Sequence, residues 1–104
     1  MMQALIHRYT QLCDDAREQL GKGHVDTVAY GNIVIALAES DPKQALLVKI
    51  AAARDAIVQN DQRNWNRREG YRGYYRREIA LFEQALQDLD RAKGVADEAT
   101  GCES

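Results

Sequence analysis

The sequence predicts an all-α protein, a small antiparallel bundle of about four helices. Three observations lead there. Apolar residues recur at steps of three and four in the first, third and last segments, which puts them on one face of a helix. Glycines and a single proline fall between those segments, where helices start and stop. No segment shows a strand pattern that another could pair with.

The first helix is expected from about Gln3 to Leu20. Met2, Leu5, Tyr9, Leu12, Ala16 and Leu20 share its stripe, widened by Ile6 and Cys13. Gly21-Lys22-Gly23 ends it, because glycine accepts the left-handed cap conformation at little cost. Asp26 or Thr27 then caps a second helix reaching Glu39. Residues 33–38 are apolar without a break, a pattern that suits a buried helix or a buried strand. Helix is favoured, since a lone strand has no partner. Gly31 inside it costs about 1 kcal/mol against alanine, which suggests a close helix crossing.

Ser40 to Gln44 forms the clearest boundary. Asp41 is an N-cap, Pro42 fits the first helical position and Gln44 can complete a capping box. Leu46, Ile50, Ala53 and Ile57 make the stripe of the third helix, flanked by Leu47 and Val58. Its end is open: Trp65 would continue the stripe, whereas Gly70 and Gly73 should terminate it. The fourth helix is expected from about Tyr74 to Lys93. Tyr75, Ile79, Phe82, Leu86 and Leu89 form a seam that serves as internal core or as a dimer interface, broadened by Leu81, Ala85 and Ala92. Gly94 is the expected stop. That gives a single helical domain over 1–94 and an acidic tail over 95–104, expected to fray.

At 104 residues, 45% hydrophobic and 29% charged, the chain can bury a core without staples. The N-terminus lacks the basic start and apolar run of a signal peptide, and no stretch approaches the ~20 apolar residues of a membrane span. Cys13 and Cys102 are the only cysteines and read as free thiols. Together these features lead to the expectation of a cytoplasmic protein that does not act at a membrane.

Charge is the most uneven feature. Residues 63–77 hold six arginines and one acid, a net of +5, against −7 for the rest and −2 for the whole. The same segment carries the only tryptophan and three of the five tyrosines. Arginine with aromatics is what binding surfaces are enriched in. Arg63, Trp65, Arg67, Arg68, Tyr71, Arg72, Tyr74, Arg76 and Arg77 are therefore the candidate partner-binding residues. The competing reading is a solvated helix connection. There the aromatics cap the core, and the arginines pair with Asp61, Glu69, Glu78 or acids of other helices.

Residues for chemistry are sparse, and no cofactor, metal site or enzymatic activity is expected. His7, His24, Cys13 and Cys102 lack metal-ligand spacing. Ser40 and Ser104 sit in no nucleophile motif, and Cys13 reads as a small core residue. Glu83, Asp88 and Asp90 lack the Glu-x-x-His pattern of di-iron bundles. Glu83 and Asp90 are expected in solvent or paired with arginine. Neither Gly21-x-Gly23 nor Gly70-x-x-Gly73 follows a strand, as a phosphate loop would.

The function expected is that of a small non-enzymatic regulator, an inhibitor or adaptor. It would occupy an acidic surface of a partner protein, in a role suited to bacterial or phage regulation. A homodimer is the favoured assembly on the base rate for small helical proteins. The alternative is a nucleic-acid-associated protein using the same arginines and aromatics on phosphates and bases. It ranks second because the chain is acidic overall and shows no helix-turn-helix, zinc-finger or RNP pattern. Should the segment be only a connection, the surface around His7, Arg8 and Gln11 is the next candidate.

Overall fold

A computed structural model describes the backbone of residues 2–63 and 68–103 and the side chains of residues 2–62 and 72–92. Among the described residues four helices follow one another: α1 (Met2–Leu20), α2 (Val25–Leu37), α3 (Pro42–Arg63) and α4 (Arg68–Glu103). There is no strand among the described residues. Short connections fold each helix back on the one before, giving a small antiparallel bundle. α1 packs on α2 and α3 on α4, while α2 touches all three other helices.

The central place of α2 follows from its composition. A helix apolar on several sides has to be covered on several sides. Ala29, Ile33 and Ala36 are completely buried, and Leu37 nearly so. They meet Leu5 and Tyr9 of α1, Leu46 and Ile50 of α3, and Phe82, Ala85 and Leu89 of α4. The 33–38 run is thus helical, with Ala38 as its cap. It is not buried all round, since Ile35 is 58% exposed.

Two boundaries form as the sequence predicts. Gly21 closes α1 with φ +95°, its N–H bonded to the Arg17 carbonyl at 3.0 Å. Asp41 caps α3, its carboxylate accepting from the Gln44 N–H at 3.2 Å. Pro42 opens the helix, where its missing N–H costs nothing. α3 runs to Arg63, and the question of its passage through Trp65 falls outside the described residues.

Other expectations are corrected. α2 starts at Val25, capped by His24, whose Nδ1 accepts from the Asp26 N–H at 3.1 Å. Asp26 and Thr27 are free for other bonds: Thr27 donates its hydroxyl to the Gly21 carbonyl at 2.8 Å, joining α1's end to α2's start. The buried face of α1 is centred on Leu5, Tyr9, Cys13 and Ala16, and Leu20 is 49% exposed. Leu47 and Val58 flank the α3 stripe but lie in solvent. Gly31 faces Cys13, yet a Cβ there would stand 3.7 Å from the sulfur, an ordinary contact. The crossing therefore does not require glycine.

The largest correction concerns α4. It begins at Arg68, not near Tyr74, so Gly70 and Gly73 lie inside it and terminate nothing. It also passes through Gly94 to Glu103. A glycine costs a helix only about 1 kcal/mol, which tertiary contacts of the first turns can outweigh.

Candidate binding surface at the start of helix α4

The basic segment is split by the fold. Arg63 ends α3, and Arg68 and Tyr71 belong to the first turn of α4. Their side chains, and Trp65 and Arg67 altogether, lie outside the described residues. Arg72, Tyr74, Tyr75, Arg76 and Arg77 can be placed, and they do different things.

Arg72 and Arg77 are used inside the molecule. Arg72 forms a two-pronged pair with Asp61 of α3, Nε to Oδ1 at 3.0 Å and Nη2 to Oδ2 at 2.6 Å. Arg77 does the same with Asp26 of α2, at 2.8 and 3.0 Å. Planar guanidinium matches planar carboxylate, so each pair fixes orientation as well as distance. The Arg77 hydrogen bonds hold the Asp26 carboxyl below its usual range, and Asp26 in turn raises the Arg77 guanidinium. These two clamps tie the start of α4 to α3 and to the first turn of α2. This is the pairing the solvated-connection reading expected, with Asp61 among the acids it named. Glu78, also named, faces Lys49 instead.

Arg76 is exposed and has no acidic partner among the described residues. Tyr74 and Tyr75 are half-buried and meet edge to face, with centroids 5.4 Å apart. Burial, then the nearby Glu78 carboxyl, raises the Tyr74 hydroxyl above its ordinary value. Of the seam residues, Phe82 and Leu89 are buried in the protomer's own core, Ile79 and Leu86 lie at its margin, and Tyr75 is half-buried.

The burial of two acids of α4 was not expected from the sequence. Asp88 is 5% exposed and Glu78 9%. Asp88 accepts from the Tyr9 hydroxyl at 2.5 Å and from Gln84 Nε2 at 3.3 Å, with Arg8 and Arg91 at 3.7 and 3.8 Å. Burial and this carboxylate push the Tyr9 hydroxyl well above its usual value. The signal was present in the spacing. Glu78 precedes Leu81 and Phe82 by three and four positions, and Asp88 follows Ala85 by three, so both acids fall on the apolar face. Glu83, by contrast, is exposed and pairs with Arg54 at 3.4 Å, and Asp90 is exposed.

His7 is exposed and His24 serves as a cap. No group of three metal-ligating side chains occurs among the described residues. Cys13 is a free buried thiol whose S–H points to the Thr27 carbonyl at 3.6 Å. No described helix is long and apolar enough to cross a membrane. Comparison with protein-family models, with curated proteins and with solved structures finds no match to this chain.

Proposed function

We propose that this chain is a small non-enzymatic protein-binding regulator, an inhibitor or adaptor, that occupies an acidic surface of its partner with the basic, aromatic start of α4. The observation that supports this reading is the double clamp. Arg72–Asp61 and Arg77–Asp26 fix the first turns of α4 against two other helices. Arg76 then projects from a rigid element beside the Tyr74–Tyr75 pair. Preorganisation of this kind lowers the entropy lost on binding, and arginine with tyrosine is a frequent hot-spot pairing.

The clamps weigh against the nucleic-acid alternative. Phosphate contacts need uncommitted cations, and two of the three described arginines of the segment are neutralised by aspartates. A reducing cytoplasm suits the free buried Cys13. Self-association through the α4 seam is not part of the proposal, because Phe82 and Leu89 already face the protomer's interior.

The test is affinity capture from the native host with three baits: wild type, Arg76→Glu and Trp65→Ala. The expected result is a discrete protein partner that both variants lose while their helical circular dichroism is unchanged. Retention of that partner by both variants would move the binding surface elsewhere. Oligonucleotide binding whose log–log salt slope approaches about −0.9 per phosphate contact would replace the protein reading with the nucleic-acid one.

A further inference from the structure

A cleft of about 210 Å³ opens between α2, α3 and α4. Its polar lining comes from all three helices: Asn32 of α2, Lys49 of α3, and Tyr75 and Glu78 of α4. Ala52 and Ala53 supply an apolar wall. Glu78 is the unusual member. It is 9% exposed, yet it accepts no hydrogen bond and closes no ion pair among the described residues. Among the described residues no fully buried side-chain oxygen lacks a partner, so the remaining exposure of this carboxyl is toward the cleft.

Buried carboxylates are nearly always given donors by the protein, and one left without them is costly. Burial raises the Glu78 carboxyl above its ordinary range, and Lys49 pulls the other way. The ammonium is therefore near enough to be felt but does not bond to the acid. Opposite charges thus line one cleft without closing an ion pair. A concave site with a few convergent polar groups, one of them electrostatically perturbed, is the usual form of a small-ligand site.

We propose that this cleft binds a small zwitterion of the α-amino acid class. The ligand's ammonium supplies the donors Glu78 lacks, and its carboxylate meets Lys49. The Asn32 amide can donate to the carboxylate or accept from the ammonium. The small volume and the alanine wall select a short apolar side chain. A simple amine would leave Lys49 facing a like charge, and a simple carboxylate would leave Glu78 facing one. The dipolar ligand satisfies both. The cleft's charged groups, Glu78 and Lys49, are not those of the protein-partner reading, although Tyr75 borders both surfaces.

The experiment is titration of the folded protein with L-alanine, followed by NMR shifts of the Asn32 and Lys49 amides. Ethylamine and propionate serve as the two half-ligands. L-Alanine should shift both amides saturably in the millimolar range. Each half-ligand should bind at least about tenfold more weakly, and so should L-alanine to Glu78→Gln and to Lys49→Met. Absence of saturable shifts with L-alanine would overturn the proposal. So would ethylamine binding as tightly as L-alanine, which would make the cleft a plain cation site. Undiminished L-alanine binding by both folded variants would also overturn it.

Discussion

Tyr9 of α1 donates its hydroxyl to Asp88 of α4 at 2.5 Å, and the accepting side chain is only 3% exposed. α1 and α4 touch less than any other packed pair of helices in the bundle. This bond, spanning 79 positions, is therefore a specific lock between the two ends of the fold. Gln84, Arg8 and Arg91 complete the surroundings of the carboxylate, which explains how an acid is tolerated on the apolar face.

Removing the donor leaves that acid with its weaker neighbours. Tyr9→Phe should cost about 1.5–3 kcal/mol, the range for a hydrogen bond to a charged group. Asp88→Asn should cost less, because the amide oxygen still accepts. A double-mutant cycle by urea unfolding should return a coupling energy above about 0.5 kcal/mol, as for residues in one network. Additive costs would mean that the two side chains are neighbours without being a lock.

The Arg77–Asp26 clamp carries a pH signature. Hydrogen bonds from Arg77 lower the folded Asp26 pKa below its ordinary 3.8. The unfolded chain thus takes up this proton first as pH falls. The stabilisation is complete above the unfolded value and is lost as pH drops through the folded one. Asp26→Asn should therefore destabilise at neutral pH and make no difference in strong acid. Arg77 is half exposed, so the neutral-pH cost should stay within roughly 1 kcal/mol. Equal costs at both ends of a pH series of melting curves would refute the clamp as an ionic contact.

Glu78 should behave in the opposite sense. Burial raises its folded pKa above the ordinary 4.5, with Lys49 opposing. The folded state then holds this proton more tightly than the unfolded chain. The contribution is fully present below the unfolded value and disappears as pH rises through the folded one. Glu78→Gln should leave stability at acid pH unchanged and raise it at neutral pH, where the wild type must bury a charge. A loss of stability at neutral pH would show that the carboxylate makes a favourable contact within the protein.

The fold was legible because its signals are local. Stripes at helical spacing, Gly21 and the Asp41–Pro42 start each act within one or two turns. Long-range pairing was not legible. Arg72 and Arg77 look identical to Arg76 in sequence, and only the placement of Asp61 and Asp26 on other helices separates structural arginines from the presented one. Glu78 and Asp88 were readable by spacing, since both share the face of Phe82 and Ala85, but the Tyr9 hydroxyl that bonds Asp88 and the Lys49 charge near Glu78 were not. Both ends of α4 were misplaced because glycine was given the weight of a terminator. The tertiary clamps around Gly73 outweigh its modest helix penalty.

The glycines themselves supply the sharpest contrast. Gly21 has φ +95°, where a side chain is strained regardless of space, so Gly21→Ala should cost about 1–2 kcal/mol. Gly73 sits in α4 with no atom near the position of an added Cβ. Gly73→Ala should stabilise by roughly 0.5–1 kcal/mol, because alanine loses less backbone entropy on entering a helix. Gly31→Ala places its methyl 3.7 Å from the Cys13 sulfur, an ordinary contact, and should gain a similar amount. Chemical denaturation of the three variants reads the order directly. A destabilising Gly73→Ala would mean that the first turns of α4 are not helical in solution. A destabilising Gly31→Ala would mean that α1 and α2 approach more closely there than this packing shows.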